Sequence, residues 1–256
     1  MTFVENLVGK AASKAGLTIS RSSTLANRLP VEATHADRAT IAAVRPFTMT
    51  SSERIWSLLQ AVNYIVDQPV EGDFVECGVW RGGSVMAMAL HLQQRSAATR
   101  RLWLYDTYEG MTAPTEADVE ATTGVTAREL LQSTEVADGN NVWCVAGRDD
   151  VEANLRTTGY PMGNFTLVEG DVAVTLRGSV PEQLSILRLD TDWYESTVAC
   201  LEVLYPRLVI GGVCILDDYG HWLGARSAVD EYFATLGSRP YMHPIDYSGR
   251  VFIKTR

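Results

Sequence analysis

The sequence predicts an α/β fold in which a mostly parallel sheet carries helices on both faces and is closed at one edge by an antiparallel hairpin. Three observations point to it. Short apolar runs alternate with helical patterns from Asp73 onward, the signature of strand–helix–strand units. A glycine-rich turn, Gly78 to Gly83, follows the first of these runs, and pairs of aspartates close the last two parallel strands. Ligands of open α/β sheets bind at the carboxyl ends of the strands, where all these residues fall.

Taken in order, the chain opens with Val4, Leu7, Val8, Ala11 and Ala15 at helical spacing, followed by a polar stretch over 20–37. Residues 1–44 therefore read as an amphipathic helix and an arm, with contact to a second subunit favoured over covering the core. Residues 45–256 read as one domain. Thr50 and Glu53 fit a capping box, and Ile55, Leu58, Leu59, Val62, Ile65 and Val66 form one apolar stripe, so a helix starts at Thr50 and ends before Pro69. Strands are predicted at 73–77, 102–106, 165–169, 184–190 and 208–216. Segments 241–247 and 251–254, joined by Ser248-Gly249, form the edge hairpin and bring the sheet to seven strands. Between them, residues 108–140 are rich in Thr, Ala and Glu and too long for an ordinary connection, which predicts a mobile lid.

Bulk properties narrow the partners. With 22 basic against 31 acidic residues the formal net charge is −9, which disfavours a nucleic-acid ligand. A content of 46% hydrophobic and 21% charged residues suits an ordinary packed domain. Cys77, Cys144, Cys200 and Cys214 are scattered without zinc or disulfide spacing, so they read as reduced thiols. No apolar run approaches the roughly 18 residues of a membrane span, and Glu5 and Lys10 interrupt any signal sequence; a cytoplasmic protein is expected.

The turn Glu76-Cys77-Gly78-Val79-Trp80-Arg81-Gly82-Gly83-Ser84 lacks the G-x-G-x-x-G spacing of dinucleotide sites, and an acid inside the strand suits a cationic ligand better than a pyrophosphate. Asp106, closing the second strand, is placed to accept from ribose hydroxyls, and Gly170-Asp171 after the third strand to face an adenine. Alone, a glycine turn is often only a turn; with Glu76 and Asp106 it reads as a nucleoside site.

Asp190 and Asp192 follow the fourth strand, Asp217 and Asp218 the fifth. Crowded carboxylates repel one another unless protons or a cation neutralise them, and a divalent ion with oxygen ligands, Mg²⁺ before Ca²⁺, answers that need. The plainer alternative is that some of them cap the following helices. Trp193, Tyr194, Tyr219 and Trp222 offer flat faces for a sugar ring or polyketide; the plainer alternative assigns half of them to the core. Of the histidines, His35 and His91 read as surface residues and His243 as part of the hairpin; His221 is the one candidate for the site.

These segments resemble the macrocin O-methyltransferase family over about residues 45–233. The likeness is carried by Phe47-Thr48-Met49-Thr50, by Phe74-Val75-Glu76-Cys77-Gly78-Val79-Trp80-Arg81-Gly82-Gly83 and by Asp106-Thr107-Tyr108-Glu109-Gly110-Met111. Leu189-Asp190-Thr191-Asp192-Trp193-Tyr194-Glu195-Ser196-Thr197 and Asp217-Asp218-Tyr219-Gly220 complete it. The resemblance implies a Rossmann-like class I methyltransferase fold and Mg²⁺-dependent transfer of a methyl group from S-adenosylmethionine to a sugar hydroxyl of a glycosylated natural product. It further implies that Met49, Glu76, Gly78, Ser84 and Asp106 contact the donor, with Gly82 and Asp171 counted among the cofactor-binding residues, that Asp190, Asp217 and Asp218 hold Mg²⁺, and that Asp192 is the general base with His221 in reserve. A catechol or other vicinal diol would satisfy the same residues. An NAD-linked oxidoreductase and a non-catalytic nucleoside-binding protein are the competing classes.

Overall fold

A computed structural model describes residues 29–136 and 142–256. The expected amphipathic helix at 4–15 lies outside the described residues. The sheet has seven strands: β1 (Asp73–Cys77), β2 (Leu102–Asp106), β3 (Phe165–Glu169), β4 (Leu184–Leu189), β5 (Leu208–Leu216), β6 (His243–Pro244) and β7 (Arg250–Ile253), in the order β3-β2-β1-β4-β5-β7-β6. The first five are parallel; β7 runs antiparallel to β5 and to β6. The fold predicted from alternation is the one observed.

Because side chains alternate across a strand, each strand feeds two cores. Phe74, Leu104, Ile186 and Ile215 pack on one face with α1 (His35–Val44), α2 (Ser52–Asp67), α3 (Gly83–Gln94) and α5 (Arg148–Thr157). Val75, Tyr105, Leu187 and Cys214 pack on the other with α6 (Val172–Thr175), α7 (Tyr194–Leu204) and α8 (Leu223–Thr235). A third, smaller cluster joins α4 (Ala127–Ser133) to Trp193 and Trp222 at the strand tips. Strand order reverses between β1 and β4, which open a crevice at their carboxyl ends.

Four local expectations are corrected. The polar stretch before residue 45 contains α1, capped by Thr34 and Asp37 in a reciprocal box, with Ile41 and Val44 in the core. Its apolar face is narrow, so the surrounding polar residues mask it. The cap of α2 is Ser51, which accepts from Arg54 N at 3.1 Å, and not Thr50. Thr50 instead donates to Asp217 at 2.8 Å. His91 is buried on α3 and bonds Asn63 at 2.8 Å. The hairpin is shorter than expected, because Asp246 accepts from Ser248 N and Gly249 N at 2.9 and 2.7 Å and takes the intervening residues into a turn.

Cys77, Cys200 and Cys214 are buried thiols. Among the described residues no helix is long and apolar enough to cross a membrane. Phe233 packs edge-on against Tyr205 and Phe252, with centroids 5.1 and 5.6 Å apart, and so ties α8 to the turn before β5 and to β7. Phe233→Ala is expected to lower the unfolding free energy by about 3–5 kcal/mol, measured by urea denaturation.

Candidate active site

The site grows from the turn after β1. Gly78 has φ +81°, and a Cβ there would collide with the carbonyl oxygen of Asp190. Glycine is required because the β4 loop passes directly over the turn. Asp190 N donates to Cys77 O at 2.9 Å, stitching the two strand ends together. Gly82, at φ +87°, begins α3.

Asp106 accepts from Val79 N at 2.6 Å, Trp80 N at 3.0 Å and Tyr108 N at 2.8 Å. It fastens the glycine turn to β2, a duty the sequence did not reveal.

These elements enclose a cleft of about 530 Å³ lined by Met49, Glu76, Gly78, Ser84, Asp106, Asp190, Asp192, Asp217, Asp218 and His221. Gly82 is absent from its lining; its role is the backbone turn beneath. Asp171 also stands outside. It is exposed, accepts from Ala173 N at 2.8 Å to start α6, and borders an adjoining hollow of about 70 Å³ shared with Gly78 and Asp106. A larger apolar groove of about 910 Å³ along α2 and β7 contains none of these acids.

Asp190, Asp217 and Asp218 converge, with one oxygen from each within 4.8 Å of the others. None of the four acids caps a following helix by its side chain: α7 and α8 begin at Trp193 and Trp222 without such a bond. The repulsion that sequence reasoning assigned wholly to a metal is answered in part by protein cations. Arg188, buried on β4, bonds Glu76, reaches Asp190 at 2.8 Å and Asp217 at 2.6 Å, and donates to Thr50 Oγ1 at 3.0 Å. Arg54 pairs with Asp217 and, at 3.0 Å, with Asp246.

The consequences differ from acid to acid. Burial opposes ionisation of Asp217, yet Arg188 and Arg54 hold it below the usual carboxylate range. Burial pushes Asp190 up to about 6 against the pull of Arg188. Asp218 has no ion pair among the described residues; burial and its neighbours Asp192 and Asp190 raise it well above the ordinary value. Glu76 rises to about 8 through burial, despite Arg188, and its Oε2 is a buried oxygen with no protein partner. An unpartnered buried acceptor at the cleft wall fits a cationic ligand group.

Asp192 sits at φ +58°, a conformation that costs a non-glycine residue energy and persists only where surroundings enforce it. Its Oδ1 accepts from Trp222 Nε1 at 2.8 Å, and burial, then Asp190, raises it to about 8. His221 is half-buried, 3.4 Å from the Tyr247 hydroxyl and 4.0 Å from Glu120, and burial lowers its pKa. Trp193 and Trp222 meet edge to face at 4.9 Å and line the cleft. Tyr194 and Tyr219 turn away, to Glu231 at 2.6 Å and Asp230 at 2.9 Å.

The described part of the expected lid is docked. Its Asp118 is wholly buried, Trp193 Nε1 donates to Thr112 O at 3.0 Å, and Glu120 pairs with Trp222 in a β-bridge. Arg188 and Arg54 are the functional-site residues that sequence reasoning missed. For Arg188 the signal was present, since β1 and β4 are buried strands and Glu76 lies opposite Arg188 in their interior; Arg54, on α2, gave none. Removing the guanidinium strands three acids, so Arg188→Met is expected to cost about 3–5 kcal/mol of stability. Glu76→Gln in the same chain should recover part of that loss in the same denaturation assay.

The macrocin-O-methyltransferase (TylF) family model matches residues 11–254. The 8-demethyl-8-(2,3-dimethoxy-alpha-L-rhamnosyl)-tetracenomycin-C 4'-O-methyltransferase of Streptomyces olivaceus is 35% identical over 202 residues, 79% of this chain and 73% of that one. Demethyldecarbamoylnovobiocin O-methyltransferase of Streptomyces niveus is 31% identical over 209 residues, 82% and 76% of the two chains. The solved O-methyltransferase NovP superposes with a TM-score of 0.70 at 29% identity, covering 82% of this chain and 83% of that one. The calicheamicin methyltransferase CalS11, at 16% identity and a TM-score of 0.59 over 92% and 97% of the chains, shares the fold. The oxidoreductase and the non-catalytic readings fall away: the chain belongs to the macrocin-O-methyltransferase family, has the class I methyltransferase fold and is an O-methyltransferase.

Proposed function

We propose that the enzyme takes its methyl group from S-adenosylmethionine and delivers it to a hydroxyl of a sugar on a glycosylated natural product of the antibiotic class, with Mg²⁺ bound beside the acceptor. The observation that carries the reading is the convergence of Asp190, Asp217 and Asp218 next to the unpartnered Glu76 oxygen in one cleft. The relatives whose names specify tetracenomycin and novobiocin substrates support the acceptor class.

On this reading Met49, Glu76, Gly78, Ser84 and Asp106 hold the donor, with Asp171 at its adenine end and Gly82 setting the turn. The positive charge of a sulfonium donor suits Glu76. Asp190, Asp217 and Asp218 form an all-oxygen donor set, the chemistry that Mg²⁺ prefers. Bound there, the ion supplies Lewis acidity that makes an adjacent hydroxyl easier to deprotonate.

Asp192 is the assigned base. Its raised pKa makes it a stronger base than an ordinary carboxylate, and the Trp222 indole fixes which oxygen faces the cleft. In the transfer the acceptor oxygen gains the methyl group and gives its proton to Asp192, and S-adenosylhomocysteine leaves. His221 stands behind as the alternative proton acceptor. The walls of Trp193 and Trp222 suit the apolar face of a sugar.

Mass spectrometry of a panel of glycosylated natural products, their aglycones and simple catechols, each with donor and Mg²⁺, tests the acceptor. Methylation of the glycosides alone is the expected result; methylation of catechols or aglycones instead would overturn the sugar assignment. Asp192→Asn should lower kcat by roughly 10² to 10⁴-fold while S-adenosylhomocysteine affinity, read by calorimetry, stays unchanged. Unchanged turnover would pass the role of base to His221. Mg²⁺ must displace protons from the cluster. Asp190 is protonated below about 6, and burial raises Asp218 further. Protection of the protein by Mg²⁺ against heat should therefore strengthen as pH rises through 6, and a protection independent of pH would contradict the assigned ligands.

A further inference from the structure

We propose that Asp118 is a positioning residue that ties docking of the 108–136 segment to the geometry of the Asp192 loop. The proposal rests on the reading of Asp192 as the base. Asp118 is fully buried, forms no ion pair among the described residues, and accepts from Thr115 N at 2.7 Å and Thr115 Oγ1 at 2.8 Å. Its other oxygen accepts from Tyr194 N at 2.7 Å. Tyr194 is the first residue of α7, whose own N-cap, Trp193, offers no side-chain acceptor. A distant segment thus supplies the capping carboxylate, favourably placed at a helix N-terminus, two residues after Asp192.

The attachment extends to the second loop. Leu223 N donates to Val119 O at 2.9 Å and Ala121 N to His221 O at 2.8 Å, which holds Trp222, the indole that bonds Asp192. Gly224 is shaped to the same carboxylate: a Cβ there would collide with Asp118 Oδ1. Two supports of Asp192, the start of α7 and the Trp222 indole, are therefore fixed by one docked segment; a third is its own N–H, which donates to Asp218 at 3.3 Å. Met111 and Leu130, from that segment, also line the cleft, so an acceptor that holds the segment in place also holds the base in its left-handed conformation.

Asp118→Ala removes the carboxylate and Gly224→Ala expels it from its seat. With an acceptor that the wild type methylates, each variant is expected to lose kcat on the order of 100-fold and to raise acceptor KM, because Met111 and Leu130 move with the segment, while S-adenosylhomocysteine affinity stays unchanged. The double variant should be no worse than Asp118→Ala, because the smaller side chain leaves room for the new methyl. Arg128 is the one tryptic site between residues 108 and 147, and cleavage after it should appear in both single variants and be absent from the wild type. Additive losses, unchanged kcat, or equal loss of donor affinity would each overturn the proposal. If the wild type methylates nothing in the panel, the acceptor assignment fails by itself. Asp118 is then judged by cleavage after Arg128 and by a change in tryptophan emission that vanishes in a Trp222→Phe background; absence of either rejects it.

Discussion

One guanidinium sets the terms for the whole site. Arg188 lies beneath the crevice between β1 and β4 and joins Glu76, Asp190 and Asp217, so the acid of β1 and two acids of the strand-tip cluster meet at one guanidinium, with Arg54 a second counter-charge for Asp217. A buried arginine in contact with one acid would be hard to justify energetically, since desolvation of both partners opposes the attraction. In contact with three, and with Thr50 satisfying a further N–H, its donors are used and its charge is overcompensated. The arrangement keeps a strongly acidic pocket folded without any ligand and leaves a negative excess directed at the cleft.

That geometry follows from strand parity. Phe74, Ile186 and Ile215 face the same core, and residues two further along each strand share the face. Glu76, Arg188 and Asp217 occupy those positions, and parallel register sets Glu76 opposite Arg188. Strand order reverses between β1 and β4, so nothing crosses above them except the Asp190 loop, which requires glycine at Gly78. Charge, register and the backbone turn are three aspects of one packing solution.

The same parity explains what was readable in the amino-acid order. Five parallel strands appear within a residue of their expected bounds because short, mainly apolar runs of five to nine residues, flanked by turn residues, have few other solutions. Asp190, Asp217 and Asp218 were recognisable as a cluster because both acidic pairs end strands. Arg188 was overlooked as one polar residue in an apolar run, although a charge in a doubly covered strand demands a partner. The structural duty of Asp106 was not legible, because nothing in the order of residues tells that two backbone N–H groups of the glycine turn point at it. Helix α1 escaped because only Ile41 and Val44 among its apolar residues with large side chains are buried, too short a stripe to outweigh the polar sequence around it.

Seven carboxylates line the cleft, Glu120 among them, and the guanidiniums of Arg54 and Arg188 are the arginine charges set against them. Fully ionised, the pocket would repel itself, and burial accordingly raises Glu76, Asp190, Asp192 and Asp218 toward protonation. A sulfonium donor and a divalent cation would replace those protons as counter-charge, freeing Asp192 to act as a base once both are present. The requirement is electrostatic: neutralising the neighbours lowers the Asp192 pKa, so the base gives up some intrinsic strength and gains availability, because it is deprotonated when the acceptor arrives.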